Sequence, residues 1–224
     1  MQQRDLFGNI IYSEEDVKRK TSAATVSTPE YPDEPWAASP SVDILQREIC
    51  ECLKCPLGQT RTKFVFGVGN PKADVMFIGE APGADEDLQG EPFVGRAGQL
   101  LNKIIEAVQM NRADVYICNI LKCRPPNNRD PESTEMETCT PYLHKQIELI
   151  NPKFIICLGR ISAQWLLQTN ESLTNLRGKV HDYRSSKLIV TYHPAALLRN
   201  PNWKRPAWED MKMFKQLYDE MRKA

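Results

Sequence analysis

The chain has 224 residues; 29 are basic and 29 acidic, so its formal net charge is zero, and 41% are apolar. That is enough for one real core, in one domain or two small ones, and it excludes a collagen-like or wholly disordered chain. No apolar run approaches ~18 residues, and MQQRDLFGNIIYSEEDVKRK lacks the apolar stretch and cleavage site of a secretory signal, so neither a membrane span nor a leader is expected.

Zero net charge would argue against nucleic acid as a partner, but net charge says nothing about distribution. Residues 1–43 carry four basic and eight acidic groups, and the remainder carries 25 and 21. An acidic tail therefore masks a basic body. Within the tail, residues 21–40 (TSAATVSTPEYPDEPWAASP) hold four prolines and no helical or strand period. Such a stretch buries too little apolar area to offset its ordering entropy, so residues 1–40 are expected to be a disordered tail and linker, with a folded domain over 41–224.

The body alternates. SVDILQREICECL opens with a candidate Ser41 N-cap and continues at helical spacing. DVMFIGE, VYICNIL, KFIICLG and KLIVTYH are short, nearly continuous apolar runs, as in strands covered on both faces. Between them lie GRAGQLLNKIIEAVQM, PESTEMETCTPYLHKQIELI and RISAQWLLQT, and AWEDMKMFKQLYDEMRK closes the chain. This order predicts an α/β fold, a three-layer αβα sandwich around a parallel sheet with right-handed crossovers. Ligands bind such sheets at the strands' carboxyl ends, which points to GEAPGADED, Asn119, Leu158–Gly159 and Tyr192–His193.

Seven cysteines, an odd count without a leader, disfavour a disulfide framework. Cys118 and Cys157 fall inside predicted strands, as buried thiols. Cys52 and Cys55 have chelate spacing, with Cys50 able to replace Cys52. Cys123 and Cys139 flank a Pro/Asn-rich loop with fifteen residues between them. Four thiolates suit tetrahedral zinc or an iron–sulfur cluster; the second pair is not a CxxC knuckle, which leans towards a cluster.

Glu80, Asp85, Glu86, Asp87 and Glu91 crowd the loop after the first apolar strand, around Gly79, Pro82 and Gly83. Those acids would repel phosphate. They suit a positioned water or a cation-like transition state, or else simply cap the next helix. His193, at the end of the last strand, could bond or transfer a proton there. His144 is expected on a helix surface and His181 after a basic turn. No zinc-deaminase signature, GxSxG elbow or Walker A motif is present.

GEAPGADED with QGEPFVGRAGQLLN, Asn119 in YICNILKCRPP, HPAALLRNP, and Cys52, Cys55, Cys123 and Cys139 together resemble the family 4 uracil-DNA glycosylases, from about Val42 to the C-terminus. The resemblance implies a four-stranded parallel sheet between helices and a [4Fe–4S] cluster on those four cysteines. It places Glu80, Ala81, Pro82 and Glu86 beside the base or the attacking water, stacks Phe93 on a flipped uracil, pairs Asn119 with the uracil edge, and sets His193 at a uracil carbonyl. Ala81 stands where better-known members of the superfamily carry an aspartate, so the water falls to Glu80, with Glu86 the rival. The Arg-Arg-Ile-His insertion of the cross-linking subgroup is absent, which favours hydrolytic release. Leu197 or Leu198 is the candidate wedge that fills the gap left by the base. Arg199, Lys204 and Arg205, interleaved with Trp203 and Trp208, suit backbone phosphates.

The implied partner is uracil-containing DNA, single- or double-stranded, met by a monomer in a bacterial or archaeal cytoplasm. Gln3-Arg4-Asp5-Leu6-Phe7 also resembles the bacterial sliding-clamp pentapeptide, with Arg4 in place of its usual leucine. The rival class is a non-catalytic iron–sulfur DNA-binding protein of the same fold.

Overall fold

Ser41 opens the first helix, α1 (Val42–Ile49), in this computed structural model, which describes residues 33–223. Its Oγ accepts the Ile44 N–H at 3.3 Å, the N-cap expected from the sequence. The folded body starts earlier than Ser41. Pro35–Ala38 forms a 3₁₀ turn that buries Trp36, whose ring meets Tyr142 edge-on at 4.8 Å. The linker reading therefore fails for 33–40, because one aromatic anchor offsets the cost of ordering a short turn. The rest of the tail, with Gln3–Phe7, lies outside the described residues.

Among the described residues one sheet has six strands: β1 (Val68–Gly69), β2 (Val75–Gly79), β3 (Tyr116–Asn119), β4 (Phe154–Leu158), β5 (Val180–Tyr183) and β6 (Ser186–Thr191). Their order is β1-β3-β2-β4-β6-β5. The central β3-β2-β4-β6 is parallel, matching the four apolar runs. Antiparallel β1 and β5 close the edges and were not expected. β1 is two residues long beside Gly67, and β5 reads Val-His-Asp-Tyr, so neither carries an apolar run.

Besides α1 and two four-residue helices, the helices among the described residues are α2 (Ala84–Gln89), α3 (Arg96–Ala107), α4 (Ser133–Ile150), α5 (Arg160–Leu166), α6 (Pro194–Arg199) and α7 (Lys204–Lys223). Both faces of the sheet are covered, and alternate residues of a strand enter different cores. Met76 and Ile78 pack with Leu45, Leu143 and Leu166 of α1, α4 and α5. Val75 and Phe77 pack with Leu101 and Phe214 of α3 and α7. This is why the central strands read as unbroken apolar runs.

Two histidines are explained by packing. His181 is buried, its Nε2 2.8 Å from the Leu176 carbonyl oxygen. His144 is not a surface residue: it is half-buried, and burial, helped by Arg184, lowers its pKa to about 4.

Candidate active site

Register sets the site. Gly79 lies opposite Asn119, and Leu158 opposite Thr191, so the parallel strands end level with one another. Their carboxyl ends open into a cleft of about 710 Å³ lined by Glu80, Phe93, Asn119, Gly159, His193 and neighbours. Ala81, Pro82, Glu86 and Arg199 also line it. The four segments expected at the strand ends therefore meet there.

At its base Asn119 is buried, and its Oδ1 has no hydrogen-bond partner. A Cβ at Gly79 would lie 2.3 Å from that oxygen and 2.7 Å from Phe93 Cζ. Only glycine at this strand end lets the amide and the ring converge. A buried polar atom left unpaired costs free energy of about 1–3 kcal/mol, so this acceptor is destabilising as it stands.

Phe93 is held against strain. Its φ is +55°, a left-handed value that bulky residues rarely adopt. Glu86 fixes the turn: its Oε1 accepts the N–H groups of Val94 at 2.9 Å and Gly95 at 3.0 Å, and its Oε2 accepts that of Gly83 at 3.1 Å. Arg112 donates to the Pro92 carbonyl at 2.7 Å from the other side. Gly98 receives the Phe93 backbone, because a Cβ there would sit 1.8 Å from the Phe93 carbonyl oxygen. The carboxylate of Glu86 is thus occupied in shaping the loop. Asp87 is likewise buried, accepting the Thr62 N–H at 2.9 Å.

Glu80 is different. Its backbone carbonyl accepts the Leu121 N–H at 3.0 Å, extending the β2–β3 ladder past the strand ends. Its carboxyl group lines the cleft, and burial raises its pKa to about 7, with Asp130 adding to the rise and Arg160 opposing it. A carboxylate poised near neutrality can take a proton from water. Sequence reasoning missed the Asp130–Arg160 pair, which meets at 3.4 Å across thirty positions of chain. No local spacing connects the two.

His193 caps α6. Its Nδ1 accepts the Ala195 N–H at 3.1 Å, and its ring lies 5.4 Å from that of Phe93. Burial, aided by Arg199, lowers its pKa to about 4, so the imidazole is neutral and carries its proton on Nε2. Gly159, at φ +100°, lets β4 approach: an added Cβ would be 3.1 Å from His193 Cβ.

The wedge candidates separate. Leu197 is 2% exposed, whereas Leu198 is 38% exposed. Helical phase decides this, since neighbours on a short helix face different ways. Arg199, Lys204 and Arg205 are all exposed.

The cysteines also gather. Cys52 and Cys55 pack against the core that contains Cys123 and Cys139. Burial, helped by nearby cysteines, raises the pKa of Cys123 to about 11 and that of Cys139 to about 12. Tyr142 donates to Cys52 Sγ at 3.3 Å, and Arg61 to Cys123 Sγ at 3.4 Å. Among the described residues no three His, Cys, Asp or Glu side chains are grouped so as to hold a single metal ion. Cys50 instead points its thiol at the Arg47 carbonyl oxygen, 3.4 Å away. Lys122, 0% exposed, was missed entirely: its Nζ donates to the Asn119 carbonyl at 2.8 Å and to Gln146 Oε1 at 2.6 Å.

The profile of the uracil DNA glycosylase superfamily matches residues 66–212, a span that includes the whole cleft. Type-4 uracil-DNA glycosylases of Archaeoglobus fulgidus and Sulfurisphaera tokodaii are 46% and 47% identical to this chain over 185 and 186 residues. Those alignments cover 79% of this chain and 93% and 84% of the relatives. The Thermotoga maritima enzyme of the same type is 43% identical, over 71% of this chain and 84% of its own. The chain belongs to the uracil-DNA glycosylase superfamily, and within it to the type-4 enzymes. With that membership come a uracil-DNA glycosylase activity, hydrolytic in kind, and a place in DNA repair.

Proposed function

We propose that the cleft takes a flipped-out deoxyuridine and hydrolyses its N-glycosidic bond, leaving an abasic site for base excision repair. The observation that carries this is the unpartnered Asn119 Oδ1 beside Phe93 and the neutral His193. Uracil offers N3–H to that oxygen and O4 to the Asn119 amide N–H; cytosine presents the opposite pattern. The Phe93 ring supplies a stacking face. Reaching the base requires taking it out of the stack, and exposed Leu198 is placed to fill the gap.

The bond from C1′ to N1 breaks with its electron pair on the uracil, whose negative charge spreads onto O2. His193 Nε2–H donates to that oxygen, and because the ring is already neutral no proton need be lost first. The sugar becomes oxocarbenium-like. Glu80 holds the water that attacks C1′ and receives its proton. Ala81 and Pro82 shape the wall beside it, and Arg199 with Lys204 meets phosphates.

Cys52, Cys55, Cys123 and Cys139 are read as ligands of a [4Fe–4S] cluster. Cys123 lies near Cys52 and Cys55, and Cys139 near Cys123 and Cys55, which with the wide second spacing supports this reading. Arg61 and Tyr142 suit thiolate sulfurs there, each already donating to one. When bound, the cluster supplies a four-point staple between the end of α1 and the loop 124–138.

We further propose a monomer acting in the cytoplasm; among the described residues no helix is long and apolar enough to cross a membrane. Gln3–Phe7 stays a proposed clamp contact, tested by comparing clamp binding of the full chain with that of a chain lacking residues 1–15. The function itself is tested by uracil release from single- and double-stranded oligonucleotides, scored as alkali-labile abasic sites.

A further inference from the structure

Trp203 lines the same cleft as Phe93 and His193, yet it is 39% exposed. It is not a loose surface ring. It stacks on Tyr192 with centroids 5.1 Å apart and planes 14° from parallel. The Arg177 guanidinium lies over the Tyr192 ring at 4.7 Å, so Tyr192 is held between a cation and an indole. Arg177 in turn is fixed: its Nε and Nη2 donate to Asp210 Oδ2 at 2.9 and 2.7 Å, and Thr191 donates to that oxygen at 2.8 Å. Asp210 is buried. The backbone is fixed as well, with Asn200 Oδ1 accepting the Asn202 N–H at 3.2 Å at the head of the Pro201–Trp203 turn. A row of ordered groups thus runs from the core to an indole at the cleft rim. Arg199, Lys204 and Arg205 surround it in sequence, all exposed.

A rigid aromatic ring among cations at the rim of the cleft suits an unpaired nucleobase, with the cations on its phosphates. Inside a duplex both faces of a neighbouring base are covered by stacking. Flipping uncovers one face, but that face meets the Leu198 wedge and the base stays paired; a single-stranded neighbour is unpaired and free to turn onto a ring at the cleft rim. We propose that Trp203 is a stacking platform for the unpaired base next to the flipped uridine and gives the chain its grip on single-stranded substrate. This rests on the reading of the cleft as the uracil pocket.

The test compares the parent, Trp203→Ala and Trp203→Phe on single- and double-stranded uracil oligonucleotides, with thermal melting to confirm folding. Trp203→Ala is expected to lose about tenfold in kcat/KM on single strands and distinctly less on duplex. Phenylalanine keeps a ring and should recover most of the single-strand loss. In parallel, a uracil-free oligothymidylate should quench the parent's indole fluorescence, and Trp203→Phe should lack that component. Equal losses on both substrates, no loss, or undiminished quenching in Trp203→Phe would overturn the proposal. If the parent releases no uracil at all, the pocket reading fails, and the quenching alone still decides whether a base stacks on Trp203.

Discussion

The Nδ1 atom of His193 accepts the backbone N–H of Ala195, 3.1 Å away, and this bond fixes which ring nitrogen faces the cleft. With Nδ1 an acceptor, a neutral ring must carry its proton on Nε2. The pKa of about 4 then places the charge change below the working range. Between pH 5.5 and 8.5 the activity profile should show no step from this histidine. Nitrogen chemical shifts at pH 7 should report the Nε2–H tautomer. His193→Ala should lower kcat by about a hundredfold or more, as loss of an oxyanion donor does elsewhere.

Glu80 should dominate the pH profile instead. Its carboxylate is the form that accepts a proton, so activity should rise as pH passes through about 7 and then level off. Glu80→Gln should lie low and flat. Stability should move the other way. The folded pKa is above the unfolded value of 4.5, so the folded state binds the extra proton and stability is lost as pH rises from that value through about 7. Glu80→Gln removes the penalty. It should melt higher than the parent at pH 8, by about 2–6 °C, and the gap should vanish near pH 4.

Asn119 makes a second trade of stability for function. Its Oδ1 is buried and unpaired in the free protein. Asn119→Ala should leave folding stability level or slightly raised, while kcat/KM on uracil DNA falls about a hundredfold or more. Inhibition by free uracil should weaken in step. A variant that unfolds at the parent temperature and still binds uracil normally would contradict the pairing role.

Chelation and cysteine variants test the staple. Cys52→Ser and Cys139→Ser should lose the bound iron and the broad visible absorption of anaerobically purified protein. Cys50→Ser and Cys157→Ser should keep both, since neither thiol joins the group. Iron removal should lower the melting temperature if the proposed cluster ties α1 to the loop 124–138.

The central strands, the Ser41 cap and the cleft's four segments were legible because each rests on a local pattern: an apolar run, a capping residue, a strand end. Edge strands β1 and β5 were not, since one is two residues beside Gly67 and the other is polar. Most of the residues singled out in the sequence line one cleft, but what surrounds each was not legible. Glu86 and Glu80 look alike in a string of acids, and only the three backbone donors around Glu86 tell them apart. Leu197 and Leu198 differ only in helical phase. Gly98 reads as an ordinary helix glycine, yet it is the seat for the strained Phe93 backbone. Lys122 was invisible because a lysine in sequence carries no sign of burial, and here it bonds to the carbonyl of Asn119 from inside the core.

The most direct measurement follows uracil release by the parent and by Glu80→Gln on the same single- and double-stranded oligonucleotides. Abasic product from the parent, and a rate reduced about a hundredfold or more in Glu80→Gln, is the expected result. Absence of abasic product with the folded parent, or release by Glu80→Gln at the parent rate, would contradict it.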